Sequence, residues 1–385
     1  MSKVTYKRLG DYIREVNVRN RELKVTNLLG LSMSKQFRPS TSNIVGVDLT
    51  KYKVVDRNVF AFDPMSVIRV HKVPIAINDT NDPIIVSPAY YTFEVIDSFQ
   101  LLPQYLMMWF QRTEFDRYAD FKSDAAVRGG YDWDELCNTP IYIPSITRQR
   151  EIVSEYETLT NRIRLNNQMI QHLEATAQTL YRKTFVDNID KENLPEGWRM
   201  GTFTEIVNIC GGGTPSTDET AYWHDGEIPF YSPGDKTDFY YSLKTEKHIT
   251  EEGLAHCSSK LYSQNTIFVT ARGATTGGLA MAGCAMAMNQ TCYALLGKDD
   301  SMPFYVHQLA IETMASLKNE AVGATFEALV TKDFNNTEIL IAPKETMIAY
   351  NEEVAIVYRN ILLKQQENEK LTELQSLLLA KMGMG

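Results

Sequence analysis

The sequence predicts an α+β protein: two mixed α/β globules separated by two long helices. Three observations predict it. A segment running from Asn138 to Lys183 returns 198 residues later, from Asn336 to Lys381. Each copy turns at a proline, Pro144 or Pro343, and then continues for about ten helical turns without proline or glycine. The sequence outside these copies consists of short β-branched and aromatic runs punctuated by Gly, Pro, Asn and Asp. A repeat of this length is one structural unit used twice.

Residues 1–145 form the first globule, with strand-like runs leading into a helical stretch from Leu102 to Tyr118. Residues 146–193 form the central helix. Here Ile152, Tyr156, Leu159, Ile163, Asn166, Ile170, Leu173, Ala177 and Leu180 are spaced alternately by four and three, which is a heptad seam. Residues 194–342 form the second globule, with a helical stretch from Pro303 to Leu317. Its start, WRMGTFTEIV from Trp198, can be laid beside YKRLGDYI from Tyr6, and MNQTCYALL from Met288 beside SPAYYTFEV from Ser87. Residues 343–385 form the second long helix. Val354, Val357, Ile361, Leu371 and Leu378 repeat the seam, and Lys364 and Asn368 interrupt it. Polar residues in a seam cost stability and specify register or partner number. Two readings of these breaks stand: the place where another protein's helix packs, or a polar patch on an ordinary surface helix pair.

The chain has 385 residues and a net charge of -9. Residues 1–145 carry 18 basic and 17 acidic side chains, whereas 193–338 carry 9 and 18. Phosphate contacts need positive charge, so affinity for nucleic acid from this chain alone is expected to be weak. The polar start and the lack of an eighteen-residue apolar run point to a cytoplasmic protein without a membrane span. Cys137, Cys210, Cys257, Cys284 and Cys292 form no CxxC, and no histidine stands at zinc-ligand spacing, so they read as reduced, mostly buried thiols and no metal is expected. There is no GxxxxGK[ST] phosphate loop, no HExxH, no GxSxG, and no Asp/Asn-Pro-Pro-Tyr/Phe run such as amino-methyltransferases use on a flipped base. The chain is therefore expected to be no enzyme and to bind no cofactor itself.

An ordered series of short motifs runs through the second globule: LPEGW (Leu194), CGGGTPST (Cys210), YW (Tyr222), IPFYSPGD (Ile228), TARGATTGG (Thr270), MNQTCYAL (Met288) and GATFEAL (Gly323). The first globule carries GLSMSKQF (Gly30), VDRNVFAFDP (Val55), VSPAYYTFEV (Val86), LPQYLMMWF (Leu102) and VRGGYDWDEL (Val127). With the order globule, long helix, globule, long helix, these motifs make nearly the whole chain resemble the specificity subunits of Type I restriction–modification systems. Two departures stand out. Phe230 replaces a tryptophan common in that family, and the glutamine after the helix-starting proline is present as Gln149 but absent from the second copy, PKETMIA.

The resemblance implies that the long helices pair antiparallel as a coiled coil and that each globule is a target-recognition domain for one half of a bipartite, asymmetric site in double-stranded DNA. It also implies two methyltransferase subunits bringing S-adenosylmethionine, with a motor-nuclease subunit adding restriction. The helix positions assigned to partner binding are Leu159, Ile163, Asn166, Ile170, Leu173, Val357, Ile361, Lys364, Asn368 and Leu371. A helix of about 35 residues spans roughly 50 Å, enough to place two readers about one DNA turn apart. Base reading needs donors and acceptors at base edges, arginine or lysine for guanine and asparagine or glutamine for adenine. In the second globule the candidates are Lys236, Arg272, Thr275, Thr276, Asn289 and Gln290, beside glycine-rich turns that let backbone approach DNA. In the first they are Lys35, Gln36, Arg38, Ser40 and Asn43 in a polar loop, Arg69, His71 and Lys72 on an expected hairpin, and Arg128. Each has a bland alternative as a solvated turn or local cap, and Asn289 and Gln290 have one as buried groups tied to backbone. The rival from another class is a coiled-coil adaptor that binds proteins and never touches DNA.

Overall fold

The structure, a computed structural model, describes residues 5–40, 46–124, 130–187, 189–299, 301–320 and 328–383. The chain divides into two compact units, residues 1–162 with 371–385, and residues 163–370. Each long helix therefore contributes to both.

In the first unit an antiparallel four-stranded sheet has the order Ile13–Glu15, Tyr91–Val95, Phe60–Phe62, Ile75–Ile77. Its inner face is aromatic: Phe60 stacks on Phe93 at 4.8 Å, and Phe110 meets both edge-on. The expected single helix from Leu102 to Tyr118 is two, Pro103–Gln111 and Thr113–Asp124, because the backbone at Arg112 is extended. Arg112 is buried there, its guanidinium 4.3 Å from the Trp109 ring and its Nε donating to the Leu379 carbonyl at 3.0 Å. The tail of the second long helix is thus tied into the first globule. The expected hairpin around Arg69 is instead one helical turn, Val67–Val70, closed by His71 in the left-handed region. Asp63 starts that turn by accepting from Met65 N and Ser66 Oγ.

The second unit holds a five-stranded sheet, in the order Val207–Gly211, Cys292–Gly297, Ile267–Thr270, Leu279–Ala282, Tyr241–Ser242. A three-stranded sheet joins Lys247–Ile249, Ile228–Tyr231 and Ala287–Met288. The helix Pro303–Glu320 lies in the same core as the larger sheet.

The duplication extends beyond what the two sequences reveal. Tyr6–Arg8 pairs with Pro140–Tyr142 in one unit and Arg199–Thr202 with Glu338–Ile341 in the other, each closing strand preceded by a short helix, Trp133–Asn138 or Thr331–Asn336. Even the bond Leu9 N to Thr139 O recurs as Phe203 N to Thr337 O.

The long helices run from Ile146 to Phe185 and from Lys344 to Lys381. Inside the second unit Tyr350 Oη donates to Ala177 O, and Asn166 Nδ2 to Asn368 Oδ1; inside the first, Gln375 Nε2 donates to Thr160 Oγ1. Positions falling along one helix meet positions rising along the other, so the helices pair antiparallel in each unit. The missing glutamine of the second copy also has an explanation. Gln149, fully buried, accepts from Leu102 N and donates to Gln100 O and Pro144 O, fastening the start of helix Pro103–Gln111 to the long helix. In the second unit Asn351, one turn further along, accepts from Phe304 N and Tyr305 N at the start of helix Pro303–Glu320. An amide satisfies an otherwise orphaned helix start in both halves, so Gln149 is an internal fastener rather than a partner contact.

Candidate nucleic-acid interface

In the second globule the segment Thr270–Gly278 closes on itself: Thr270 N donates to Gly278 O and Gly277 N to Thr270 O. Gly273 and Gly277 have φ of +107° and +76°, values that disfavour side chains. Arg272 and Thr275 are exposed on this turn, while Thr276 folds back, its Oγ1 donating to Gly273 O at 2.6 Å. Thr276 is therefore a turn former, buried to 9% exposure, and not a group reaching outward. Lys236 is exposed, and its stem lies against Gly278, where an added Cβ would be 3.1 Å from Lys236 Cδ. The fold thus brings Lys236 to the turn that carries Arg272 and Thr275.

Asn289 is half-buried and its Oδ1 accepts from Thr291 N and Oγ1, so its acceptor is spent on a local turn. Gln290 is exposed and accepts from Thr214 Oγ1 of the CGGGTPST loop. The glycines of that loop are structural: a Cβ on Gly212 would collide with the Asn289 carbonyl, and one on Gly213 with Ser258.

In the first globule Lys35 departs from expectation. It is buried, and its Nζ donates to Asp116 Oδ1 at 2.8 Å and to the Phe110 carbonyl. Burial pulls its pKa down and Asp116 opposes that shift; it ties the hairpin Leu29–Leu31 and Phe37–Pro39 to the helices rather than to a ligand. Gln36 is exposed at the rim of a cavity of about 830 Å³, shared with Asn27, Arg57 and Asn78 and walled on the other side by Tyr156 and Asn161 of the long helix. Arg38 is exposed, with Nε near Leu31 O, and Ser40 is half-buried. Arg69, His71 and Lys72 are exposed together on the turn after Ser66, and His71 Nδ1 lies 2.8 Å from Asp120 Oδ1. Asn43 and Arg128 lie outside the described residues.

The helix positions assigned to partners are largely consumed within the chain. Ile170 and Ile361 are fully buried in the core of the second unit, with Leu173 and Val357 packed against it. Asn166 and Asn368 face each other, and Asn368 Nδ2 also donates to Asn167 Oδ1 at 2.7 Å. Lys364 pairs with Glu367 on its own helix at 2.8 Å. Leu159, Ile163 and Leu371 are half-buried. A heptad seam is the face that paired helices turn toward each other, which is where these positions lie. Apolar side chains that do reach solvent lie off the seam: Leu165, Met169, Ile356 and Leu363 in the second unit, Leu374 and Leu377 in the first. Leucines standing between heptad positions were the available signal.

Among the described residues no group of acidic, histidine or cysteine side chains is arranged to hold a metal, and no helix is long and apolar enough to cross a membrane. Cys137 and Cys292 are buried, Cys210 and Cys257 half-buried, and Cys284 exposed.

Residues 195–375 match the family model described as the Type I restriction modification DNA specificity domain. The chain is 29% identical over 195 residues to the MjaIX specificity subunit of Methanocaldococcus jannaschii, a match covering 48% of this chain and 43% of that protein. It is 23% identical over 356 residues to the HindI specificity subunit of Haemophilus influenzae, covering 73% of this chain and 77% of that one. The first of these matches spans less than half of the relative's length. The fold is similar to the crystal structure of a Type I restriction-modification S subunit from M. genitalium, with a TM-score of 0.60 and 12% identity over 99% of this chain and 97% of that one.

Proposed function

We propose that this chain, similar to Type I restriction–modification specificity subunits, is the non-catalytic subunit that reads a bipartite, asymmetric DNA site in the cytoplasm. Each globule reads one half-site. Two methyltransferase subunits dock on the long helices, bring S-adenosylmethionine and supply most of the phosphate contacts, and a motor-nuclease subunit adds restriction.

The observation that carries this reading is a duplicated frame bearing unlike loops. The same closing ribbon and amide-fastened helix start serve a compact turn with Lys236, Arg272 and Thr275 in one globule and the Arg69, His71, Lys72 group in the other. One mechanical task performed on two different sequences accounts for that pattern. The exposed apolar side chains off the seam, Leu165, Met169, Ile356 and Leu363 among them, are the positions on the helices open to partner subunits. The acidic balance of the second globule fits partners that furnish positive charge. Two weak half-site contacts in one chain combine with a high effective concentration, so modest readers suffice for a selective whole. The adaptor reading gains nothing from these observations.

The test is DNA affinity of the purified chain with and without its methyltransferase subunit, measured against the cognate site across a salt series. Weak binding alone and tight, selective binding in the complex is the expected result. Tight, sequence-selective binding by the isolated chain would contradict the division of labour.

A further inference from the structure

The strand Tyr241–Ser242 closes one edge of the five-stranded sheet, pairing in parallel with Leu279–Ala282. On its inner side Tyr240 O accepts from Met281 N at 2.7 Å and Ser242 O from Gly283 N. The polar groups of Tyr241 on the outer side would need another strand, and an edge strand left open in this way is a liability. Both long helices supply the substitute. Gln365, 5% exposed, accepts from Tyr241 N at 3.3 Å and donates to Tyr241 O at 2.9 Å, so one side-chain amide imitates a neighbouring peptide group. Glu174, on the other helix, accepts from Tyr240 N at 3.0 Å, and Tyr240 Oη donates back to the Glu174 carbonyl.

The Tyr240 ring is held as firmly as its backbone. It lies 4.5 Å from His307 and 5.7 Å from Tyr358, and Gln308 Nε2 donates to both tyrosine hydroxyls. Tyr358 Oη and His307 Nδ1 share a hydrogen bond of 2.8 Å, and burial pushes that histidine down to about 3, so its ring stays uncharged at neutral pH. The segment fastened in this way leads back within five residues to Lys236. Its interior is braced by Thr237 Oγ1 donating to Tyr241 O and by Ser242 Oγ donating to Asp235 O.

We propose that Glu174 and Gln365 are positioning residues for base reading by the second globule: from two different helices they hold the backbone of Tyr240 and Tyr241, and through it set where Lys236 stands over the turn of Arg272 and Thr275. The proposal rests on the DNA-reading function given above. A small rearrangement of the helix pair then changes this half-site's readout without any helix residue touching DNA, because a reading group displaced by about an ångström loses its base-edge hydrogen bond.

The experiment uses the full chain assembled with its methyltransferase subunits and duplexes carrying single base changes in either half-site. The half read by the second globule is the one where Lys236→Ala weakens discrimination. Glu174→Ala is expected to reduce discrimination about 10-fold at that half, in line with losing a hydrogen bond to a charged group, and to leave the other half unchanged. Glu174→Gln, which keeps the acceptor, is expected to restore it; Gln365→Ala should follow Glu174→Ala. A wild-type complex that discriminates at neither half overturns the function and this inference with it. Normal discrimination by wild type with Glu174→Ala equal to it at both halves, or a uniform loss at both, overturns the positioning role alone.

Discussion

At the scale of single residues, burial decides roles that residue type leaves open. Desolvation raises the Glu174 carboxyl to about 7 from an ordinary 4.5, against the opposing pull of the Tyr240 N–H and of Lys236. A carboxyl raised by folding stabilises the native state relative to its charged form only while protonated. Its contribution is complete below the unfolded value of 4.5 and is lost as the pH climbs through about 7. Glu174→Gln should therefore raise the melting temperature little at pH 5 and progressively more up to about pH 7.5, with no further gain beyond. A thermal melt series in which the two proteins stay parallel across that range would refute it. Lys35 is the opposite lesson. Its place in a polar loop of the sequence suggests a DNA-reading group, yet it is sealed against Asp116, on a backbone in the left-handed region at φ 60°. No local pattern announces such a turn at a lysine.

At the scale of elements, the helix pair was the most legible part of the sequence, and its polar interruptions were the least. The alternation of four and three residues identified the buried face, and Ile152, Ile170, Ala177, Val354 and Ile361 do lie buried. The purpose of Asn166 and Asn368 required knowing which residue faces which, a fact of antiparallel register that neither helix contains. They bond to each other, with Asn167 as second acceptor. A polar pair of this kind holds register at a cost in stability. Asn166→Leu alone should destabilise the chain by about 1 kcal/mol or more, since Asn368 loses its donor. Adding Asn368→Leu should recover part of that loss, because the two facing amides are then both apolar and only the half-buried Asn167 acceptor has lost a donor. Urea denaturation of both variants checks this; losses that simply add would show that the asparagines act independently. Gln149 and Asn351 teach the same point, as they perform one fastening task from positions one turn apart and so never align in sequence.

At the scale of the whole molecule, the proposed function makes helix length the ruler between the two half-sites. Seven residues inserted into each long helix, after Arg162 and after Lys370, preserve the heptad phase and add about 10 Å. On the proposed function, methylation mapping in cells should then find an unread spacer longer by about 3 base pairs, given the DNA rise per base pair. An unchanged spacer would reject the ruler.

The sequence by itself determined the duplication, the two long helices and the two mixed globules, because each is written in local periodicity or in ordered motifs that survive reading one residue at a time. Tertiary structure alone decided which polar side chains remain outside. Lys35 and Thr276 were drawn inward, Asn289 was spent on its own turn, and Arg272, Thr275 and Lys236 were brought to one place. Glu174 and Gln365 gained their part only when two helices and a sheet edge, far apart along the chain, closed around the same two peptide groups. Burial and hydrogen-bond partnership are properties of that closure, and composition or spacing does not carry them.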